Sequence, residues 1–265
     1  QSTAERIREI VNDATRRLIR HHRLAQGSQQ RQLDYDVSRH AYAALHSFVF
    51  PHLQRILGAA EERLERAIAS YSSAEELMDA VPGAQGRGLG LVDVSGCAEQ
   101  LALMDHKITP HEKIACIDEA HSTLQRCAAE AARAREITGD DVISLFIAAV
   151  RASPVRHRLA HVAHVEMYLQ GAAGRSGSSE AARFEEAGYA VSALQAALQF
   201  FLEERRRAGA GPGGAARPTT DIFASYLRPT GSFEAEADLD RAGMQLTGLV
   251  RQAQARVQKA GGSRT

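Results

Sequence analysis

Three histidines stand close together at His157, His161 and His164. On one helix the first two are four residues apart and the third is three further on, so all three share a face. That spacing suits a zinc ion with open coordination positions. Glu166 is the only acidic neighbour, and Arg156 and Arg158 crowd the set with positive charge, so a polar helix face is the competing reading. A second set is acidic. Asp140 and Asp141 stand in front of VISLFIAAV, one of the most apolar stretches of the chain. Carboxylates in the first helical turn are stabilised by the free N–H groups and the dipole, by about 0.3–1 kcal/mol. One Asp as N-cap and one in the first turn would account for both; the alternative is that they meet a partner. A third set opens the apolar run FEEAGYAVSALQAALQFF, residues 184–201, where Tyr189 and Ser192 project their hydroxyls from the same helix face.

Covalent chemistry has no recognisable motif. The chain holds no nucleophile elbow, no H-E-x-x-H pair and no Walker loop. GRGLG at residues 86–90 follows no strand and precedes no Lys-Ser or Lys-Thr, so its likeness to a phosphate loop is superficial.

Helices must position these groups. Alanine is abundant, aromatics make up 5%, Trp is absent, and β-branched residues rarely alternate with polar ones. The pattern predicts an all-α fold. Residues 3–22 form an amphipathic helix through Ile7, Ile10, Val11, Ala14, Leu18 and Ile19. It ends in the basic run RRLIRHHR, residues 16–23, which suits a helix C-terminus or an anionic surface. Residues 33–57 form a second helix that Pro51 bends or breaks, followed by shorter ones at 59–70 and 74–81. After a loop at 82–96, helices are expected at 96–105, 108–127, 140–152, 156–169 and 181–207. The 108–127 helix has Thr109 as N-cap, Pro110 at the first helical position and Glu112 completing a capping box, with Ile114, Ile117, His121, Leu124 and Ala128 inward. The 140–152 helix stops before Ser153-Pro154. GAAGRSGSSE at 171–180 is a flexible connection and 208–218 a linker; 219–233 look irregular, and a last helix covers 236–259.

Composition excludes several classes. The 265 residues carry 44% hydrophobic and 24% charged side chains, ordinary for a globular protein with a real core. Formal net charge is zero, which argues against gripping nucleic acid by bulk charge. No apolar run approaches the roughly 18 residues needed to span a bilayer. No signal peptide is visible, and a chain opening on Gln1 leaves room for an upstream segment. Cys97, Cys116 and Cys127 form no C-x-x-C pair and read as small buried thiols of a reduced protein.

Four stretches taken in order resemble the Vps-nine-type guanine-nucleotide exchange domain, which activates Rab GTPases of the Rab-five subfamily. Phe48-Val49-Phe50-Pro51 is similar to the family's Phe-Pro near the domain start. KITPHEKIACI, 107–117, resembles its Lys-Thr-Pro-x-x-Lys helix start with one inserted Ile. Asp140-Asp141, the apolar run and Arg151-Ala152-Ser153-Pro154 resemble its Asp-Asp helix ending in Lys-Ala-Asn-Pro. Residues 185–192, EEAGYAVS, resemble Gly-Glu-Ala-x-Tyr-x-x-Thr. The likeness covers roughly residues 40–205. It departs from the pattern at Ser144, where the family has Pro, at Ser153 for Asn, and at Glu185 for Gly.

The resemblance implies a helical bundle packed against a layered helical exchange domain. Residues 1–81 would supply the bundle, 96–207 the exchange core, and 208–265 a linker and C-terminal helix. It implies a Rab-five-subfamily GTPase, nucleotide-free or GDP-bound, as partner, with no cofactor and no metal. It assigns Asp140 to the nucleotide site, where a carboxylate pairs with the phosphate-loop lysine and repels the β-phosphate. Asp141 would cap the helix or support the pose, and Ser144, Pro154, Tyr189 and Ser192 would help bind the GTPase. The expected setting is the cytosolic face of endosomes, by peripheral recruitment. An all-helical scaffold that binds a partner without exchange, and a metal-assisted enzyme on the histidine face, are the other readings.

Overall fold

Apolar residues at helical spacing form helices wherever the chain is described. The computed structural model describes residues 9, 13, 28–82, 84, 89, 92–132, 137–172 and 179–209. Apart from Glu9 and Asp13, the predicted helix at 3–22 lies outside these residues, as do the chain beyond 209 with its expected last helix, GRGLG except for Leu89, and residues 173–178 of the flexible connection. The described helices are α1 Ser28–Ala69, α2 Ala74–Ala80, α3 Ser95–Ala102, α4 Pro110–Ala132, α5 Gly139–Ala152, α6 Arg158–Ala172 and α7 Ser179–Gly209, with a 3-10 turn at Leu103–His106. Among the described residues there is no strand, and the fold is all-α.

The expected break at Pro51 does not occur. Helix α1 runs through both Pro51 and Gly58 for 42 residues. Proline removes one backbone donor and crowds the carbonyl four residues earlier. Pro51 is exposed, while Phe50, Leu53 and Leu57 beside it are buried. Burial of such side chains stabilises by about 1.5–3 kcal/mol each, enough to offset one lost bond.

Helix α5 is the centre of the packing. Val142, Leu145, Phe146, Ile147, Ala149 and Val150 are buried, and the helix contacts α2, α3, α4 and α7. The buried apolar residues from Ala41 to Phe201 form a single cluster.

Two polar arrangements tie α1 into that cluster. The Glu61 carboxylate accepts from the N–H groups of Arg158 and Leu159, at 2.7 and 2.9 Å, and so caps the start of α6. Burial raises the Glu61 carboxyl above its ordinary range, against the lowering effect of those two donors. The buried Arg158 guanidinium pairs with Glu65 and donates to the Ser153 carbonyl at 2.7 Å. His157 sits at φ 51, in the left-handed region, just before α6 begins.

The second arrangement corrects the histidine reading. His157 is exposed and precedes the helix, so the three histidines do not share a face. His161 and His164 point inward instead and are almost fully buried. His161 Nε2 lies 3.0 Å from Asp105 Oδ1. His164 Nδ1 lies 3.0 Å from Nζ of Lys113, which is itself 0% exposed and stands 3.8 Å over the Phe50 ring. An ammonium donates to an unprotonated imidazole nitrogen, so this pair holds one charge and not two. His46 of α1 faces the same group from 5.7 Å between rings, and His111 of α4 completes the surroundings with Tyr42 and Tyr168. Burial, then the Lys113 charge, lowers His161 to about 4 and His164 well below the usual range; His46 is lowered by the same two causes. Burial also pulls Lys113 down to about 7, opposed by Asp105.

Two outcomes are expected. Glu61→Ala leaves the α6 N–H groups uncapped and Arg158 short of a carboxylate, and should cost about 3 kcal/mol in urea unfolding. For the histidines and Lys113 the folded-state values lie below the unfolded ones, and the pH dependence follows from that. The histidine contribution is whole above 6.5 and drains as pH falls from 6.5 toward 4. The Lys113 contribution is whole above 10.5 and drains as pH falls from 10.5 to 7. Urea midpoints should therefore climb as pH rises from 4 to 6.5 and again from 7 to about 9, above which the raised Cys97 thiol opposes the lysine, and Lys113→Met should flatten the upper rise.

Candidate functional site

A Thr-x-x-Asp spacing builds the start of α5. Thr138 is the N-cap, in extended conformation, and its hydroxyl oxygen accepts from the Asp141 N–H at 3.3 Å. The Asp141 carboxylate accepts in return from the Thr138 N–H and hydroxyl, both at 2.9 Å. Neither aspartate is the N-cap: Asp140 is the second helical residue and Asp141 the third. The Thr-x-x-Asp pattern was present in the sequence as a capping signal.

The two neighbouring carboxylates therefore have different fates. Asp141 is 1% exposed and consumed by the cap. Asp140 is exposed at the end of a buried helix, and its carbonyl accepts from the Ser144 hydroxyl at 2.8 Å. That bond occupies Ser144, which is itself buried. Asp141 and Ser144, both expected to help bind a partner, thus lie behind the surface.

Helix α7 brings Tyr189 to the same place. The Tyr189 hydroxyl lies 3.1 Å from where a Cβ on Gly139 would stand, so a side chain there would push the ring away. Tyr189 is 46% exposed. Its ring meets His121 of α4 edge-on, 5.3 Å between centroids at 72°. Ser192 is also exposed, one turn further along α7. Ala190, Val191, Ala193 and Leu194 between and beyond them are buried against the core. Asp140, Tyr189 and Ser192 are thereby the exposed predicted residues at the α5 start and the facing part of α7.

Pro154 is exposed but belongs to the other end of α5, about 20 Å away for a helix of this length. Ser153 beside it is buried. Its hydroxyl donates to the Ala98 carbonyl at 2.9 Å and stays near the Val155 N–H at 3.4 Å, which fixes the turn between α5 and α6. The side chains of Glu185 and Glu186 lie outside the described residues.

The Thr109 capping box is present as expected: the Glu112 carboxylate accepts from the Thr109 hydroxyl at 2.7 Å and the Thr109 N–H at 3.2 Å. Helix α4 then carries Lys113 into the core and His121 to the underside of Tyr189. The free thiols of Cys97 and Cys116 are buried; burial, then the neighbouring Cys127, pushes Cys97 up to about 12. No group of three or more metal-ligating side chains converges among the described residues. No helix among them is long and apolar enough to cross a membrane.

Residues 94–205 match the family model of the Vacuolar sorting protein 9 (VPS9) domain. That stretch of the chain is similar to VPS9 domains. VPS9 domains act as guanine-nucleotide exchange factors for Rab GTPases. The matched span runs from the residue before α3 into α7, holds Asp140, Tyr189 and Ser192, and leaves α1 and α2 outside. It covers less than half of the 265 residues. No curated protein matches the chain.

The unequal fates of the aspartates make a direct test. Asp141→Ala removes the carboxylate half of the capping box, with both bonds it accepts from Thr138, and should cost about 1–2 kcal/mol. Asp140→Ala loses only a first-turn charge and should cost less than about 1 kcal/mol. Thermal or urea unfolding of the two variants, side by side, separates these outcomes.

Proposed function

We propose that the chain releases GDP from Rab GTPases of the Rab-five subfamily, with Asp140 as the group that enters the nucleotide site. The observation that carries this reading is that Asp140 is the exposed carboxylate at the α5 start while its neighbour is locked in the cap. A GTPase holds its nucleotide through Mg²⁺ and a phosphate-loop lysine. A carboxylate delivered to that site pairs with the lysine and repels the β-phosphate. The nucleotide-free form is stabilised, GDP leaves, and the more abundant cellular GTP rebinds. No bond of either protein is made or broken. Tyr189 and Ser192 supply an aromatic ring and a hydroxyl beside the carboxylate, a combination suited to the switch regions of a GTPase.

The two family departures at Ser144 and Ser153 do not argue against exchange. Both side chains are buried and bonded inside this protein, so neither alters the surface offered to a partner. In this reading α1 and α2 act as the support of the exchange layer, and the site works at the endosomal surface through recruitment by other means.

Release of a fluorescent GDP from a panel of Rab GTPases tests the reading. Wild type should accelerate release from Rab-five-type members. Asp140→Ala should lower that rate about a hundredfold, the scale of a lost preorganised charge. Tyr189→Ala should lower it about tenfold, as truncation of an interface anchor does. Binding without acceleration of any Rab would instead identify a scaffold.

A further inference from the structure

The geometry points to His121 as a positioning residue that holds Tyr189 in the orientation the exchange site needs. This rests on the reading of Asp140, Tyr189 and Ser192 as the GTPase-binding surface. Neither the resemblance nor the domain match assigns any role to position 121.

A half-exposed tyrosine at a helix surface ordinarily moves among rotamers. Tyr189 is braced on two sides. Its hydroxyl lies over Gly139, the residue before Asp140, and its ring edge meets His121. His121 is 7% exposed and is braced in turn, stacked on Phe146 at 6.1 Å with the ring planes 10° apart. Phe146 is 0% exposed and sits in the middle of α5. Three rings from three helices thus run in a row: Phe146 from α5, His121 from α4, Tyr189 from α7. The row begins and ends on α5, because the Tyr189 hydroxyl returns to its first residue. Any tilt of α5 that moves Asp140 moves the seat of Tyr189 with it. His121 is the only member of the row contributed by α4.

The energetic role is preorganisation. Ordering an aromatic anchor before the partner arrives removes that cost from binding. Offset and edge-on ring contacts have a preferred geometry, so they fix orientation as well as fill space. A residue of equal bulk without a ring would fill the space and leave the orientation free.

The test is a double-mutant cycle read by GDP release. His121→Ala should lower kcat/KM about tenfold, while His121→Phe, which keeps both ring contacts, should stay within about threefold of wild type. In a Tyr189→Ala background His121→Ala should change the rate by less than about twofold, because the residue it positions is gone. An undiminished loss in that background would overturn the proposal in favour of a general structural role. If the alanine variant does not fold, His121→Leu takes its place and is compared with His121→Phe in the same cycle. The ring resonances of Tyr189, in protein with ¹³C-labelled tyrosine, give a readout independent of exchange. They should shift and sharpen in His121→Ala and stay near wild type in His121→Phe; unchanged resonances in the alanine variant would overturn the proposal. If wild type accelerates no Rab, the exchange reading fails, and the resonances alone decide whether His121 orders Tyr189.

Discussion

Burial of α5 along nearly its whole length is the constraint from which the rest follows. A helix with buried residues around most of its circumference cannot offer a side to a partner. It can offer only its ends. At its C-terminal end the chain is bound into the turn to α6 by Ser153 and by Arg158. At its N-terminal end the capping box closes the first turn with one aspartate and leaves the other in solvent. The position of a single charge is thus set by apolar packing two turns away. Helices α2, α3, α4 and α7 surround α5, and each removes one direction in which it could shift.

The core behind this surface is unusual in holding ionisable groups. Lys113 is completely buried with an imidazole as its hydrogen-bond partner and an aromatic face beneath it. Such a lysine tolerates burial by losing its proton more easily, and its histidine neighbours by gaining one only at lower pH than usual. The arrangement joins α1, α4 and α6, so the helices that carry α5's surroundings are fitted together through groups that respond to pH. Glu61 and Arg158 make a second, opposite kind of link, in which a carboxylate caps a helix that begins nearly a hundred residues later. Both links cross from α1, outside the matched domain, into it. The domain and the long helix before it therefore share one interior.

Two of the three positions that differ from the resembled pattern, Ser144 and Ser153, become intelligible in this setting. Ser144 replaces a proline, and its hydroxyl bonds back to the Asp140 carbonyl, which any helix-compatible hydroxyl of that length can do. Ser153, where the resembled pattern has asparagine, makes a turn-forming bond to Ala98. In each case a polar side chain bonds to backbone within the chain.

What the sequence determined alone is the local part. Helices α2 to α7, the cap at Thr109 and the stop before Pro154 are written in residues three or four apart, because capping and helical periodicity act over one turn. The tertiary structure decided the rest. It carried α1 through Pro51, since packing of Phe50 and Leu53 outweighs one lost backbone bond. It turned His161 and His164 inward, because their partners Asp105 and Lys113 lie more than fifty residues away and no spacing rule reaches that far. It brought His121 under Tyr189 from a different helix. And it divided two adjacent, chemically identical aspartates into a buried cap and an exposed charge, a distinction that depends on which side of a helix end the core occupies.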